Sequence, residues 1–317
     1  GFLLEDLVVK CLVTGGGGYK GLKITQELLN RGHEVTILDT FYFGFAPVLH
    51  LVTHPRLNVI RKDVRDNLAD LVSKFDTIIH LAGISGFPAC IANPGVAYAV
   101  NVEATQRLVK ALSPQQLLVF ASTTAMYEVA PDMIVDETTT LSPNSIYTRT
   151  KREGELICLN EHDRTVAFRV ATVMGVAPRM RSNLLVNDFV ARAIYDRSLV
   201  LYFADAKRTF IHIDDCVRGY MMAIDKTREM AGSIYNLGSE KLNYSKLQIA
   251  HEIKKHVECD IILSTMPDKD SRNFVVSFDR IKKLGFDCTI DLSATIDELV
   301  KLYRFYKPDA ADERFVF

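Results

Sequence analysis

Short apolar runs alternate with longer amphipathic stretches from the start of the chain as far as residue 175. Six of these runs are rich in β-branched residues and predict buried strands, at 8–14, 34–39, 57–63, 76–83, 116–122 and 166–172. Between them, apolar residues recur with helical spacing and predict helices, at 25–32, 98–112 and 145–162. Strands that alternate with helices indicate an α/β fold, a doubly wound parallel sheet with helices on both faces.

The pattern is less regular beyond residue 175, where it predicts a helix near 183–197, two short strands and a helical tail at 292–307. A chain of 317 residues is also longer than a single hydrophobic core usually supports. We therefore predict two domains. Residues 1–175 form the sheet domain, and 176–317 form mainly a smaller lobe, with part of 206–243 returning to the sheet domain.

Composition and charge narrow the class of protein. A net charge of −1 gives no support to binding of nucleic acid or a membrane surface, and no apolar run approaches the roughly 20 residues of a membrane-spanning helix. Glu5 and Asp6 stand where a secretory signal would carry basic residues, so we expect a cytoplasmic protein. The six cysteines contain no C-x-x-C pair. His50 and His54 have the spacing H-x-x-x-H of some zinc sites, but no glutamate follows His50. We therefore expect reduced thiols and no metal site.

The segment TGGGGYKG, residues 14–21, follows the first predicted strand. Gly15, Gly18 and Gly21 match G-x-x-G-x-x-G, a turn in which backbone N–H groups and a helix N-terminus face a phosphate. Asp39 ends the second strand, roughly 20 residues after Gly18, which is the spacing of a carboxylate that binds an adenosine ribose. A carboxylate there repels a 2′-phosphate. The sequence thus predicts that the first domain is a Rossmann domain that binds NAD.

Two polar residues near this turn have two interpretations each. Lys20 stands where an apolar residue usually faces the sheet. Its ammonium either reaches the pyrophosphate or a 2′-phosphate, or the helix is slightly rotated and Lys20 reaches solvent. Asp63, after the third strand, either accepts a hydrogen bond from the adenine amino group or caps a helix. The residues alone leave both choices open.

Tyr147 and Lys151 place a phenol and an ammonium on one face of a helix, at positions i and i+4. The cation and the positive nicotinamide of NAD⁺ would stabilise a phenolate, which could accept a hydroxyl proton as hydride leaves the same carbon. Thr123 ends a predicted parallel strand, where ligands bind, and could hydrogen-bond that hydroxyl. The same spacing occurs without such context at Tyr19/Lys23 and Tyr303/Lys307. We predict that Thr123, Tyr147 and Lys151 are catalytic; the alternative is a surface helix beside a capped strand.

Six motifs occur in order from residue 14 to about 286, namely T-G-G-x-G-Y-x-G, H-L-A-G, A-S-T-T-A-M-Y, Y-x-x-x-K, R-T-F-I-H-I-D-D and S-F-D-R-I-K-K-L-G-F. Together they resemble the extended short-chain dehydrogenase/reductase family, the nucleotide-sugar epimerases and dehydratases. The segment FRVATVMGVAPRMRSNLLVNDF, 168–189, is similar to the branch that contains bacterial GDP-heptose 4-dehydrogenases and related surface-polysaccharide epimerases.

The resemblance implies roles for further residues. The cofactor-binding residues it implies are Gly15, Gly18, Tyr19, Gly21, Asp39, Asp63, Leu81, Ala82, Gly83, Asn101 and Lys151, with Asn101 also holding the active-site helix. The substrate-binding residues it implies are Thr124, Arg179, Arg181, Asn187, Arg208 and Arg272. Arginines suit a diphosphate because they bind it through two hydrogen bonds. The alternatives are solvated surface arginines and helix-surface amides. A homodimer through the helices at 98–112 and 145–162 is also implied.

The resemblance further implies hydride transfer at C4 of a GDP- or UDP-linked sugar, which forms a 4-keto sugar. A 4-dehydrogenase releases this ketone and a 4-epimerase reduces it on its other face; the branch resemblance favours the dehydrogenase. Thr124 and Ala125 replace the acidic pair that a 4,6-dehydratase needs, which argues against that reaction. Thr172 replaces an asparagine of many UDP-sugar members, and Glu128 replaces a glycine. A non-catalytic NAD-binding regulatory module and an NADPH-dependent reductase of keto sugars are the remaining alternatives.

Overall fold

The computed structural model describes residues 8–127, 133–266 and 272–308. The strands are β1 Lys10–Thr14, β2 Glu34–Asp39, β3 Leu57–Arg61, β4 Thr77–His80, β5 Leu117–Thr123, β6 Ile134–Val135, β7 Thr165–Val170, β8 Thr172–Met174, β9 Ser198–Tyr202, β10 Lys207–His212, β11 Ser233–Leu237, β12 Asn243–Ser245, β13 Asp260–Ser264 and β14 Val275–Val276. The helices are α1 Tyr19–Asn30, α2 Ala69–Val72, α3 Phe87–Ala92, α4 Pro94–Tyr98, α5 Ala104–Lys110, α6 Ile146–Glu161, α7 Leu185–Tyr195, α8 Ile213–Asp225, α9 Thr227–Met230, α10 Lys246–His256, α11 Asp279–Lys282 and α12 Leu292–Tyr303.

Seven parallel strands form one sheet in the order β11-β7-β5-β4-β1-β2-β3. Alternate strand residues enter two separate cores. Leu12 and Leu118 pack with α5 and α6 on one face, whereas Val13 and Val119 pack with α1 and α8 on the other. Burial of both faces explains the continuous apolar runs in the sequence. The predicted doubly wound α/β fold is confirmed, and the strand order reverses between β1 and β4, where such sheets bind ligands.

The C-terminal part of the chain contributes to two regions. β11 pairs with β7 at an edge of the large sheet. α7, α10 and α12 pack around a separate apolar core that contains Val190, Ile249 and Leu299. The domain boundary at residue 175 stays a prediction. Across the three described ranges, every helix is too short or too polar to cross a lipid bilayer.

Two predicted elements differ from the observed ones. The run at 166–172 is two strands, because β7 pairs with β5 and β11 in the large sheet whereas β8 pairs with β10 in a smaller one. The helix predicted at 98–112 begins earlier, at Pro94, where the side chain of Asn93 accepts a hydrogen bond from the N–H of Val96 at 3.2 Å. A π-helical turn at Ala99–Glu103 then joins α4 to α5.

Candidate active site

The helix that carries two of the predicted catalytic residues begins at a capping box. The hydroxyl of Ser145 accepts from the N–H of Thr148 at 3.1 Å, and the hydroxyl of Thr148 accepts from the N–H of Ser145 at 3.2 Å. This reciprocal pair fixes the first turn of α6, which contains Tyr147. Lys151 follows one turn later on the same face. Because α6 packs against β5 and the turn after it, the structure brings both residues beside the end of β5, where Thr123 lies.

Thr123 is the last residue of β5 and is buried. Its Oγ1 accepts a hydrogen bond from the N–H of Ala125 at 3.1 Å, which leaves the hydroxyl proton available for a substrate oxygen. The neighbouring Thr124 is also buried, but its hydroxyl donates to the C=O of Val170 at 3.3 Å. The hydroxyl proton of Thr124 is therefore used inside the protein. In the expected contact with substrate, its side chain can only accept a hydrogen bond.

Lys151 carries a buried ammonium group. Its side chain is 8% exposed, and its Nζ lies 4.7 Å from the centroid of the Phe120 ring. Among the described residues, none makes a hydrogen bond or an ion pair with this ammonium. Burial, and after it the nearby ammonium of Lys20, lower the pKa of Lys151 to about 8. Three unused N–H donors suit a hydroxyl of the cofactor, which the resemblance implied that Lys151 binds.

Asn101, inside the π-helical turn, ties α6 to the loop after β4. Its Oδ1 accepts from the N–H of Ile84 at 2.8 Å, and its Nδ2 donates to the C=O of Ile84 at 3.0 Å and to Oγ1 of Thr150 at 3.1 Å. Thr150 lies between the two catalytic residues of α6. Asn101 therefore positions this helix, as the resemblance implied, but its amide is used within the chain rather than aimed at a cofactor.

The glycine turn between β1 and α1 leaves little space for side chains at Gly15 and Gly21. Gly15 has a φ of +69°, and a Cβ there would lie 2.7 Å from the backbone nitrogen of Ala82. A Cβ on Gly21 would collide with the carbonyl oxygen of Gly15. Gly21 thus lets α1 approach the turn itself closely. No side chain caps α1 at Gly18, so the N–H groups of its first turn can face a phosphate.

Asp39 faces the same turn from the end of β2. Its Oδ2 accepts from the N–H of Gly17 at 3.0 Å, and its Oδ1 accepts from the N–H of Phe41 at 2.8 Å. Burial raises the pKa of Asp39, while these two hydrogen bonds oppose the rise. An uncapped helix start and a carboxylate beside it fit the diphosphate and the ribose of a dinucleotide.

Residues 81–83 continue β4 alongside the end of β1. The N–H of Leu81 donates to the C=O of Thr14 at 3.0 Å. A Cβ on Gly83 would lie 2.9 Å from the amide oxygen of Asn101. This segment therefore forms the floor next to the glycine turn, where the resemblance placed the cofactor.

Tyr19 and Asn187 hold the backbone of Gly175 from two sides. The phenol of Tyr19 donates to the C=O of Gly175 at 2.6 Å, and Oδ1 of Asn187 accepts from its N–H at 3.0 Å. Nδ2 of Asn187 donates to the C=O of Arg181 at 3.0 Å. Both side chains are buried. Asn187 is therefore a support for the loop that carries Arg181 rather than the expected substrate contact, and only the backbone of Tyr19 can face a phosphate.

Asp63 is paired with a neighbour in its own loop, and its contact with adenine stays a prediction. Its Oδ1 accepts from the N–H of Arg65 at 2.8 Å, and its Oδ2 lies 2.7 Å from Nη2 of the same arginine. The hydrogen bond from the Arg65 side chain is the main cause that lowers the pKa of Asp63. The next helix begins at Ala69, so Asp63 caps no helix; it shapes the loop after β3.

Arg179 and Arg181 lie in one loop after β8 but contact different loops. The guanidinium carbon of Arg179 is 4.0 Å from the centroid of Phe43, in the loop after β2 that begins beside Asp39. Nη1 of Arg181 donates to the hydroxyl of Ser85 at 3.2 Å, in the loop after β4. Arg181 therefore lies beside the loop after β4, and Arg179 lies beside Phe43, at the end predicted for the adenosine rather than for the substrate.

The chain segments that carry Arg208 and Arg272 lie next to each other in the C-terminal part. Arg208 is buried in β10, opposite Tyr244 of β12, and its Nη1 donates to the C=O of Lys207 at 3.0 Å. The N–H of Lys207 donates to the side chain of Asn273 at 2.9 Å. This bond brings Arg272 beside the start of β10. A shared phosphate site for the two arginines stays a prediction, and Glu128 lies outside the described residues.

Lys20 points toward α8 and the catalytic helix. Its Nζ lies 6.0 Å from the centroid of the Tyr220 ring, and its charge lowers the pKa of Lys151. Burial is the main cause that lowers the pKa of Lys20 itself, with Cys216 opposing and Arg181 adding to the effect. Lys20 therefore does not extend into solvent. The interpretation in which a rotated helix exposes Lys20 does not hold.

His80 is a supporting residue that the sequence reasoning missed. It is buried in β4, with Nδ1 2.7 Å from Oγ1 of Thr14 and Nε2 3.0 Å from Oγ1 of Thr105. It joins β1, β4 and α5 beneath the cleft. The motif H-L-A-G contained the signal, a histidine at the end of an otherwise apolar strand. Nowhere in the described ranges do three His, Cys, Asp or Glu side chains meet as a metal site.

Comparison with known proteins identifies relatives of this chain. Residues 11–238 match the NAD-dependent epimerase/dehydratase family. An uncharacterized UDP-glucose epimerase of Bacillus subtilis, YtcB, is 31% identical over 258 residues, which cover 75% of this chain and 80% of the relative. UDP-glucuronic acid decarboxylase 1 of Xenopus tropicalis is 27% identical over 333 residues, covering 99% of this chain and 77% of that protein.

A solved structure extends the similarity to the fold of nearly the whole chain. UDP-glucuronic acid 4-epimerase from Bacillus cereus, in complex with NAD, superposes with a TM-score of 0.82 at 25% identity. The match covers 96% of this chain and 100% of that structure. These comparisons confirm the predicted family, the prediction of an enzyme and the predicted cofactor, NAD. The GDP-heptose branch stays a prediction.

Proposed function

We propose that this chain, which belongs to the NAD-dependent epimerase/dehydratase family, removes hydride from C4 of a nucleotide-activated sugar and forms a 4-keto sugar. The observation that carries this proposal is the arrangement of Tyr147 and Lys151, one turn apart on α6, beside Thr123 at the end of β5. The uncapped start of α1 and the carboxylate of Asp39 supply the binding groups for the cofactor.

Each residue of this trio has its own task. NAD, when bound, accepts the hydride that leaves C4. Tyr147 takes the proton of the C4 hydroxyl, so that the C–H and O–H bonds break and a C=O bond forms. Thr123 donates a hydrogen bond to the same oxygen and orients it. Lys151 favours the phenolate of Tyr147 through its positive charge, and the first turn of α6 adds the positive end of a helix dipole.

The fate of the keto sugar distinguishes two enzymes. A 4-epimerase holds the ketone and returns the hydride to its other face. The names of two relatives, a UDP-glucose epimerase and a UDP-glucuronic acid 4-epimerase, support the 4-epimerase reaction. The 4-dehydrogenase predicted from the sequence is the second candidate. It is supported by the ammonium groups of Lys20 and Lys151, which form no ion pair among the described residues and favour a neutral reduced nicotinamide over a cationic oxidised one.

The substrate diphosphate is assigned to the C-terminal part. The hydrogen bond between Lys207 and Asn273 joins the segments that carry Arg208 and Arg272, and two guanidinium groups suit a diphosphate. Arg181, held at its base by Asn187, reaches the catalytic end through Ser85. The relatives named above favour UDP as the nucleotide, and the sequence resemblance adds GDP as the alternative.

A cofactor-and-product assay tests the proposal. Purified protein is denatured to identify released NAD or NADH, and fresh protein is incubated with UDP-hexoses, UDP-glucuronic acid, GDP-hexoses and GDP-heptose. Mass spectrometry and NMR then follow each sugar. An isomer without net NADH indicates the epimerase, and a product two mass units lighter with equimolar NADH indicates the dehydrogenase. Absence of both bound cofactor and turnover would contradict the proposal, whereas bound NAD without turnover of any sugar would favour a regulatory NAD-binding module.

Two matched tyrosine variants test the catalytic trio. Tyr147→Phe should lower kcat by roughly 10²–10⁴-fold, because it removes the group that takes the proton. Tyr303→Phe is the control, because Tyr303 has the same spacing to a lysine but is buried in the core of α7, α10 and α12. Equal activity in the two variants would show that Tyr147 is not the base.

We also propose a homodimer through residues 98–112, which run from the end of α4 through the π-helical turn into α5, and through α6, the helices that the resemblance implied. Tyr98 and Leu156 are exposed apolar residues on these helices, and the phenol of Tyr98 donates to Glu153 at 2.9 Å, so the two helices form one surface. Light scattering should give the mass of a dimer for the native chain and of a monomer for Leu156→Glu. A monomeric native chain would contradict the proposal.

A further inference from the structure

Lys20 brings a second ammonium to the catalytic end of the cleft. It is the second residue of α1 and directly follows the glycine turn. Its Nζ lies 6.0 Å from the centroid of Tyr220, on α8. It is also near enough to Lys151, on α6, for its charge to lower the pKa of that residue. Helices from opposite faces of the sheet thus direct one ammonium each into the same space.

Carboxylates close to Lys20 in the fold are already paired elsewhere. Asp214 and Asp215 begin α8, the helix that faces Lys20. Asp214 forms an ion pair with Lys23 at 2.6 Å, and Asp215 forms one with Arg218 at 2.5 Å. Within the part of the chain that the structure describes, Lys20 has neither a hydrogen bond nor an ion pair. The positive charge of Lys20 is therefore available to interact with a bound ligand.

Tyr220 gives an independent indication that a ligand occupies this space. The Tyr220 side chain is fully buried, and its hydroxyl has no hydrogen-bond partner among the described residues. Burial is the main cause that raises the pKa of Tyr220, with smaller contributions from Cys216 and Tyr147, so the two phenols are near each other. An unpaired buried hydroxyl beside two unpaired ammonium groups is costly unless a bound molecule supplies the missing partners.

We propose that Lys20 shifts the relative stability of the two forms of the bound cofactor. Its positive charge stabilises the reduced, neutral nicotinamide relative to the oxidised, cationic one. The proposal rests on the proposed function, because Tyr147 can assist hydride transfer only if the nicotinamide ring lies beside it. A cation near that ring repels the positive charge of the oxidised form, and the repulsion disappears when the ring gains a hydride. Lys20 thereby makes the bound cofactor a stronger hydride acceptor and favours the keto sugar.

Lys20 itself exchanges no proton or electron in this scheme. The hydride leaves C4 of the sugar for the cofactor, and the hydroxyl proton goes to Tyr147, as in the proposed reaction. The diphosphate that the glycine turn would bind lies next to Lys20 along the chain. Its negative charge favours the protonated amine and so maintains the cation in a partly buried position.

Competition between the two cofactor forms tests the inference without turnover. Purified holoprotein is dialysed to equilibrium against mixtures of NAD⁺ and NADH of known ratio, and the bound ratio is read after denaturation. Lys20→Met removes the charge but keeps an unbranched chain at a position where the fold accepts an apolar residue. It should reduce the preference for NADH over NAD⁺ on the order of tenfold. Lys20→Arg keeps the charge and should keep the native ratio.

Lys23→Met is the matched control, because Lys23 lies on the same helix but is paired with Asp214. It should leave the bound ratio unchanged. If Lys20→Met weakens both cofactor forms equally, Lys20 is a diphosphate ligand and the inference is wrong; an unchanged ratio and affinity also overturns it. If the native protein binds neither form, the proposed function fails as well. The native protein can also bind both cofactor forms while Tyr147→Phe abolishes turnover. If Lys20→Met then keeps the native bound ratio of NADH to NAD⁺, only the inference about Lys20 fails.

Discussion

Arg169 on β7 and Glu155 on α6 form a two-point ion pair inside the protein. Nε of Arg169 donates to Oε2 of Glu155 at 3.0 Å and Nη2 donates to Oε1 at 2.8 Å, and the side chains are 2% and 0% exposed. The hydroxyl of Ser122, which precedes Thr123 on β5, donates to the same carboxylate at 2.6 Å. Since Glu155 lies one turn after Lys151, this group fastens the catalytic helix to two central strands.

Glu155→Gln should strongly destabilise the fold, because it leaves the buried guanidinium of Arg169 without its counter-charge. We expect a loss of about 3–5 kcal/mol in the free energy of unfolding, measured by urea denaturation. Glu153→Gln, on the exposed side of the same helix, is the control and should stay within about 0.5 kcal/mol of the native chain. Similar losses in the two variants would show that the ion pair contributes little.

His80 should make the fold sensitive to acid. Burial, and after it the charge of Lys151, lower the pKa of His80 from 6.5 to about 3. Between these two values the unfolded chain binds the proton and the folded chain does not. Stability should therefore fall as the pH falls below about 6.5, with at most roughly 1.4 kcal/mol per pH unit from this residue.

Urea unfolding at a series of pH values between about 7 and 4 measures this slope. His80→Asn removes the titrating group, so its slope should be smaller by one proton even if the variant is less stable at every pH. His50→Asn, at an exposed position, is the control and should keep the native slope. A native slope in His80→Asn would mean that other groups cause the acid sensitivity.

Asn101→Ala should impair catalysis through the position of α6. The variant leaves the N–H and C=O of Ile84 without partners, which costs about 2–4 kcal/mol of stability. We expect kcat to fall roughly 10–100-fold with a small change in KM, because a displaced helix misaligns the proton acceptor. Asn58→Ala, on the exposed side of β3, should leave both quantities unchanged. A native kcat in Asn101→Ala would show that α6 keeps its place without this amide.

Asp39→Asn should relax the choice between NADH and NADPH. Asparagine can still accept a hydrogen bond from the glycine turn, but it no longer repels a 2′-phosphate. The preference for NADH, measured by fluorescence titration, should fall on the order of tenfold. Asp63→Asn is the control, because its carboxylate is held by Arg65 and any adenine contact is common to both cofactors. A preference that stays native in Asp39→Asn would place the ribose elsewhere.

Local signals were sufficient for the main sheet and for the candidate cofactor site. β1, β2, β4 and β5 are buried on both faces, so their runs stand out in the sequence without knowledge of their partners. The glycine turn and Asp39 are joined by a short βα unit, whose geometry depends on spacing alone. Tyr147 and Lys151 share a helix face for the same reason. These features lie within one or two neighbouring elements.

Predictions that depended on distant partners were less successful. The break between β7 and β8 follows from the strands they pair with, β11 and β10, which come much later in the chain. The amide of Asn187 was expected at the substrate, but Gly175 and Arg181 use it. Arg179 turned toward Phe43, in a loop that lies far earlier in the sequence. The direction of such side chains depends on what the fold brings beside them.

The sequence by itself determined the alternation of strands and helices, the glycine turn after β1, the carboxylate at the end of β2 and the helix face shared by Tyr147 and Lys151. These follow from backbone sterics, periodic burial and spacing within single elements, which act over a few residues. Only the tertiary structure decided that Lys20 faces Lys151, that Asn101 and Glu155 hold the catalytic helix, and that Asp63 is paired with Arg65. Packing sets these relationships, because a polar side chain without water must take its partners from whichever elements surround it.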